Sequence, residues 1–342
     1  MKAMVCTSLG KPLELQDLPL PKPSNDGVVL RVEVCGVCHS DLFHARGHIK
    51  GTNTPFIPGH EIVGTIYEMG PDVQGFSVGE RVIVYPVFTC GICKECVSGL
   101  EHLCDKWYPI GWKIEGRGID GGFAEYVHVP NFRNILKVEG LNPEEVAPLA
   151  CAGLTALHAL YEAQVHPDDL LVLIGVGGLG HMALQLAKNL MNVTVVAVDI
   201  DEKKLSLASK LGADYVINSL KEDPVAFVRK VSGRGADAVI DFVNNSETSK
   251  IAFQMLGRGG RHVFVGVYGG VLSIPTAFMV GGSFRLIGSF MGTRRHLMEL
   301  ISLYKRGIVK PMVSSKFKLE EANEAFNKLE RGEIEGRSIL KP

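Results

Sequence analysis

The sequence predicts an α/β protein in two parts, a mostly β domain followed by a doubly wound parallel sheet. Three observations carry that prediction. Up to about residue 150 the chain is rich in Gly, Pro and Val, in short β-like runs broken by turn residues. From about residue 153 apolar strands alternate with helical stretches, the pattern of a parallel sheet built by right-handed crossovers. Between the first of those strands and its helix lies the glycine-rich turn Gly175-Val176-Gly177-Gly178-Leu179-Gly180. A length of 342 residues also suits two domains.

In the first part the β-like runs are GVVLRVEV (27–34), IVGTIYEMG (62–70) and GERVIVYP (79–86). In the second, strand LLVLIGV (170–176) leads to helix LGHMALQLAKNL and strand VTVVAVDI (193–200). Helix EKKLSLASKLG, strand DYVIN, helix DPVAFVRKVSG, strand ADAVIDFV, helix SETSKIAFQML and strand GRHVFVGV follow, and later strand FRLIGSF. A helix RRHLMELISLYKRG and a segment ending EGRSILKP close the chain. The change of texture divides the chain into 1–152, 153–291 and a last segment 292–342.

Composition narrows the function. Hydrophobic residues make up 46% and charged residues 21%, the mix of an ordinary globular chain. A formal net charge of −1 gives no reason to expect nucleic acid or an anionic membrane as a partner. No run of about eighteen apolar residues offers a membrane span. The opening MKAMVCTSLGKPLEL lacks the apolar core of a signal peptide, so the expected location is cytoplasmic. In a reducing compartment, clustered cysteines point to metal ligation or catalysis before disulfides.

The glycine turn fits G-x-G-x-x-G in the strand–turn–helix context that a dinucleotide site requires. Gly175 makes the tight turn, Gly177 lets the backbone approach a pyrophosphate, and Gly180 lets helix and strand pack closely. Gly178 and Leu179 complete the loop at a helix N-terminus, whose free N–H groups favour phosphate. An acidic residue is expected about 20 residues on, at the end of the next strand, and Asp199 is there. Its carboxylate accepts from ribose hydroxyls and repels a 2′-phosphate, which favours NAD over NADP.

Cys90, Cys93, Cys96 and Cys104 read C-x2-C-x2-C-x7-C, which suits a closed tetrahedral zinc site of structural role. The rival is an iron–sulfur cluster, whose patterns usually have other spacings or a Pro after the last Cys; here Asp105 follows. The stretch VCGVCHSD (34–41) contains C-x-x-C-H, readable as a redox dithiol, half a zinc site or a haem attachment. His60-Glu61 suggests H-E-x-x-H, but Gly64 excludes that metalloprotease helix.

Gly59-His60-Glu61-x2-Gly64-x5-Gly70-x2-Val73 resembles the signature of zinc-containing alcohol dehydrogenases of the medium-chain dehydrogenase/reductase superfamily. CGVCHSD before it, the four-cysteine loop after it, and PLACAGLTALHAL (148–160) and GVGGLG later follow that family's order and spacing. DYVIN, DAVIDFVNNSE and KPMV…KLEEANEAFNKLE resemble its tetrameric microbial and archaeal NAD-dependent branch. The resemblance implies a GroES-like mostly β catalytic domain (1–152) completed by a return segment (292–342), a Rossmann cofactor domain (153–291), two zincs per chain and a homotetramer. It implies Cys38, His60 and Cys151 as catalytic zinc ligands, with Glu61 able to swing onto the metal and Asp41 orienting a ligand. Cys35 has no ligand role and is expected buried and inert. His39 and Arg337 would meet the cofactor pyrophosphate, Thr155 the nicotinamide region and Lys204 the adenosine ribose. Val265, Gly266, Val267 and Ser289 would line the nicotinamide pocket.

The implied reaction is reversible hydride transfer between a primary or secondary alcohol and NAD, giving aldehyde or ketone plus NADH. Cys151, where polyol dehydrogenases typically have Glu, leans towards simple alcohols. Ser40 would take the hydroxyl proton. Many relatives carry His three residues later; here that position is Phe43, so the relay is expected to end through water, His44 or His48. Trp112 and Phe290, with Phe43 or Phe56 nearby, suggest an apolar substrate pocket.

Overall fold

A computed structural model describes residues 1–342. It divides into two compact units: Met1–Cys151 with Thr293–Ile301 and Pro311–Pro342, and Ala152–Gly292 with Ser302–Lys310. The expected return segment from 292 is therefore split. Residues 302–310 go with the second unit because its side chains hold them. Gln185 Oε1 accepts from Lys310 N at 3.0 Å, its Nε2 donates to Lys310 O at 3.0 Å, and Asn189 Nδ2 donates to Ile308 O at 2.9 Å.

The first unit is built on a seven-stranded sheet. Its central strands are β1 (Val28–Val37) and β2 (Glu61–Met69), which pair antiparallel, and helix α1 (His39–Arg46) follows β1. Strand Arg337–Lys341 adds to the other side of β1, and Val313–Lys318 lies beyond it. Strands Arg81–Val84 and Ile135–Lys137 extend the sheet past β2, and Tyr126–Val129 also pairs with β1. β1 is β-branched and almost wholly buried, with pattern BBBeBiBBBB. Its inward residues join Phe56, Ile62, Phe88, Phe123 and Phe326 in one apolar core. The pairing decides where chemistry can sit. Gly36 lies opposite Glu61, so the residues just past the end of β1 and just before β2 emerge together.

The second unit is a six-stranded, all-parallel sheet. Its strands are β3 (Leu170–Ile174), β4 (Thr194–Asp199), β5 (Tyr215–Asn218), β6 (Ala236–Asp241), β7 (Leu256–Phe264) and β8 (Arg285–Gly288), with α2 (Gly180–Leu186) after β3. The spatial order is β5-β4-β3-β6-β7-β8, so the chain reverses direction across the sheet between β3 and β6. All five residues of β3 are buried, as a central parallel strand covered on both faces must be. The helix expected over 179–190 is α-helical only to Leu186. Ala187–Met191 forms a π turn that ends at Asn192 in the left-handed region, φ 54°.

One buried group in this unit lacks partners. His262 on β7 is 0% exposed, and neither ring nitrogen has a hydrogen bond. Its register neighbours are Val239 and Leu286, and its ring lies 3.9 Å from that of Phe264. Burial lowers its pKa from 6.5 to about 4. The unfolded chain therefore binds a proton that the folded chain refuses between about pH 6.5 and about pH 4. Stability falls as pH drops through that window, by about 3 kcal/mol at its lower end. His262→Leu should raise the melting temperature more at pH 5 than at pH 8, read by thermal denaturation at both. An equal gain at the two values would count against the neutral-histidine account.

Candidate active site

The sheet end formed by β1 and β2 gathers the residues expected at the catalytic metal. Cys38 caps the N-terminus of α1, His60 precedes β2, and Cys151 follows the 3-10 turn Ala147–Ala150. One donor atom each from Cys38, His60, Glu61 and Cys151 lies within 4.8 Å of the others, and all four residues are buried. Asp41 fixes the arrangement. Its Oδ1 meets His60 Nδ1 at 2.8 Å and accepts from Gly59 N at 3.1 Å, while Oδ2 accepts from Cys38 N at 3.0 Å. Asp41 takes His60 Nδ1, so Nε2 is the ring nitrogen left to face the cluster, and that buried atom has no hydrogen-bond partner. A ring nitrogen grouped with two thiols among buried residues is a donor set that fits zinc.

The electrostatics agree. A hydrogen bond from Cys151 holds the Cys38 thiol well below its ordinary range, with help from Arg337 and His60 against the effect of burial. The same bond, with burial, pushes Cys151 well up. The two thiols therefore differ in proton affinity, Cys38 favouring the thiolate and Cys151 the thiol. Burial disfavours a charged His60, and Asp41 more than offsets this. The Glu61 carboxylate pairs with the Arg337 guanidinium, and both groups are fully buried. Gly36 makes room for that carboxylate, since a Cβ there would lie 1.9 Å from Glu61 Oε2. Arg337 is thus engaged at the metal pocket, which the sequence expectation of a pyrophosphate contact did not anticipate. Cys35 is sealed in β1 at 0% exposure, its thiol pushed well up by burial.

Around this cluster, His44 and Thr52 are buried and Trp112 is half-buried. Ser40 lies in the first turn of α1 and is half-buried. Phe43 is wedged between the rings of His39 and His48, at centroid distances of 5.9 Å and 5.5 Å. Phe56 is core, 1% exposed, its backbone paired with Cys6 rather than lining a pocket. Thr52 carried no motif and was not singled out in the sequence.

The four-cysteine loop forms its own cluster. Sγ separations are 3.4 Å for Cys93–Cys96, 3.6 Å for Cys104–Cys90 and 3.9 Å for Cys90–Cys96. A sulfur tetrahedron with bonds of about 2.3 Å has edges of about 3.8 Å. These distances fit that solid and exceed a disulfide bond by more than 1 Å, roughly. N–H groups of Ile92 and Cys93 lower Cys90 to about 6. The short helix Lys94–Val97 buries none of its residues, and Ile92 is 82% exposed, so the loop has no apolar core of its own.

In the second unit the glycine turn and Asp199 lie at the carboxyl ends of β3 and β4. Gly175, φ 83°, turns the chain after β3. A Cβ on Gly180 would lie 2.2 Å from Gly175 O, so helix–strand packing demands glycine there. A Cβ on Gly177 would meet no protein atom within 4 Å, and the backbone is not strained. Asp199 braces the loop: Oδ2 accepts from Val176 N at 2.9 Å, and Oδ1 from Ile200 N and Asp201 N. One lone pair of Oδ2 remains for a ribose hydroxyl.

Asp241, at the end of β6, links two further loops. Its Oδ1 accepts from Val243 N and Asn244 N, and its main-chain O from Val265 N and Gly266 N. The acid at the end of the apolar run AVID was a signal that could have found it. Ser289 N donates to Phe264 O, and the Ser289 hydroxyl is buried without a partner. Thr155 Oγ1 lies 3.8 Å from Met291 Sδ, Lys204 is half-buried on helix Glu202–Lys210, and Val267 is 52% exposed.

Comparison with known proteins places this architecture. Residues 24–140 match the alcohol dehydrogenase GroES-like domain family, and residues 178–306 match the zinc-binding dehydrogenase family. An NAD-dependent alcohol dehydrogenase of Sulfurisphaera tokodaii is 41% identical, with all of both chains covered. An alcohol dehydrogenase of Geobacillus stearothermophilus is 41% identical over 100% of this chain and 99% of its own. The crystal structure of the alcohol dehydrogenase from Aeropyrum pernix superposes with a TM-score of 0.92 at 37% identity, covering both chains fully. With two family models and full-length relatives at this identity, this chain belongs to the zinc-containing alcohol dehydrogenases of the medium-chain dehydrogenase/reductase superfamily.

Proposed function

We propose that the protein is a zinc-dependent alcohol dehydrogenase that moves hydride reversibly between a primary or secondary alcohol and NAD. The observation that carries the reading is the buried Cys38, His60 and Cys151 set with its unpartnered His60 Nε2. Three protein donors leave a position open to substrate, as a catalytic zinc requires. The metal supplies Lewis acidity that acidifies an alcohol hydroxyl, and the nicotinamide accepts the hydride. The chain's own residues orient, dry and deprotonate. Asp41 holds His60 in one tautomer, Arg337 keeps Glu61 off the open position, and Asp199 favours NAD. The second zinc, at Cys90, Cys93, Cys96 and Cys104, stands in for a local core.

Ser40 Oγ is assigned the alcohol proton. His48 is exposed at the end of α1, whereas His44 is buried with Nδ1 committed to Thr52. The exit path proposed is therefore water and His48. Ser40→Ala should lower the hydride-transfer rate about a hundredfold, measured by single-turnover NADH formation. A full rate in that variant would remove Ser40 from the path.

A homotetramer in the cytoplasm completes the proposal. No helix is long and apolar enough to cross a membrane. Strand β8 is the sheet's outer edge, with Leu286 41% exposed, and nearby Phe278 and Val280 are 65% and 80% exposed. An apolar open edge suits pairing with a second copy. The functional test is an alcohol panel followed by NADH absorbance, with and without prior zinc removal. The proposal expects oxidation of a simple or aromatic alcohol that vanishes with the metal. Failure across the panel would overturn it.

A further inference from the structure

We propose that His44 and Thr52 form a positioning pair that fixes the Trp112 indole beside His60 and thereby sets the size of alcohol accepted. The proposal deepens the alcohol dehydrogenase reading and rests on it. The His44 ring stacks on Trp112 at 4.6 Å between centroids and 10° between planes. Trp112 in turn meets His60 edge-on, at 4.9 Å and 84°. One face of the indole is therefore backed by His44, and the indole meets the His60 imidazole at nearly a right angle. Trp112 is half-buried.

What holds His44 is explicit. Its Nδ1 lies 2.8 Å from Thr52 Oγ1, and that hydroxyl donates its single proton to Ile49 O at 2.8 Å. Nδ1 must then be the donor, which fixes both tautomer and ring plane. Both side chains are buried, at 6% and 8% exposure, so no water competes strongly for either group.

The segment that carries Thr52 also holds the loop that carries Trp112. Asn53 N donates to Lys113 O at 2.9 Å, Glu115 N to Gly51 O at 2.9 Å, and Gly116 N to Asn53 Oδ1 at 2.7 Å. On the other side, Gly111 packs directly on the peptide before His60, since a Cβ there would lie 2.9 Å from Gly59 C. The Trp112 backbone is thus fixed at both ends. The remaining freedom is rotation of the indole, and the His44 face restricts it. Thr52 acts through His44 and Trp112.

The test uses the full enzyme. Trp107 and Trp112 are its only tryptophans, so in a Trp107→Phe background acrylamide quenching reports Trp112 alone. Thr52→Val keeps the shape and removes the acceptor for Nδ1. It should raise quenching of Trp112 and change the ratio of kcat/KM for a bulky aromatic alcohol over ethanol by about tenfold or more, the scale of a pocket altered by a methylene or two. Thr52→Ser should restore both, and zinc content and NADH binding should stay at the parent values. His44→Phe, which keeps a ring over Trp112 but cannot donate to Thr52, should repeat both changes if Thr52→Val does not fold. Unchanged quenching with an unchanged ratio, or equal loss on both alcohols, would overturn the proposal. A parent enzyme that oxidises no alcohol marks failure of the functional reading instead, and is seen before any variant is made.

Discussion

Cys38→Ala should remove one of two zincs, keep the other, and lower alcohol oxidation roughly a thousandfold or more. The size follows from losing a Lewis acid that contributes several kcal/mol, about 4 or more, to the reacting charge. The site has few donors to spare: without Cys38, His60 and Cys151 remain, and Glu61 is held by Arg337. The control lies three residues away. Cys35→Ala leaves the cluster intact, because the Cys35 thiol is packed inside β1 opposite Ile62. It should retain both metals and near-full activity, with a small loss of stability, about 1 kcal/mol, from the vacated volume. Metal analysis beside initial rates separates the two. Loss of zinc from the Cys35 variant, or its retention without Cys38, would reverse the assignment made for VCGVCHSD.

The second large effect concerns stability. Arg337→Met should destabilise the first unit by about 3–5 kcal/mol, since it leaves a buried carboxylate without its cation. Burial already raises the Glu61 pKa above 4.5, with Arg337 opposing that rise. Removing the guanidinium lets it climb further. The folded variant then holds a proton that the unfolded chain releases above about pH 4.5. Its stability therefore falls as pH rises from that value to the raised folded pKa, and the deficit is largest at neutral pH and above. Glu61→Gln with Arg337→Met should recover most of the loss, since no unpaired charge remains. Thermal unfolding of single and double variants at pH 5 and pH 8 measures this. A single variant that melts like the parent at pH 8 would mean the pair is not buried in solution.

Much of this was legible in the sequence, for physical reasons. The sheet of the second unit was readable because buried parallel strands are continuous apolar runs, and LLVLI and AVID are such runs. Cys90 to Cys104 was readable because a local metal loop writes its ligands close together. Cys38, His60 and Cys151 lie far apart along the chain, and only resemblance joined them. The pairing of Gly36 with Glu61 is what brings the first two to one sheet end. The partner of Arg337 was not readable, because an ion pair between residues 61 and 337 leaves no local pattern. Thr52 was missed for the same reason: a lone threonine in a loop has no signature until His44 and Trp112 surround it. The split of the return segment was also hidden, resting on Gln185 and Asn189, which look like ordinary polar helix residues.

The most direct measurement is an anomalous difference map at the zinc edge from crystals of the active enzyme. Two peaks per chain are predicted. One should lie within about 2.0–2.4 Å of Cys38 Sγ, His60 Nε2 and Cys151 Sγ, the other inside the Cys90, Cys93, Cys96 and Cys104 tetrahedron. A crystal of active enzyme with no metal at the first position, or with Cys38 and Cys151 joined as a disulfide, would contradict the account.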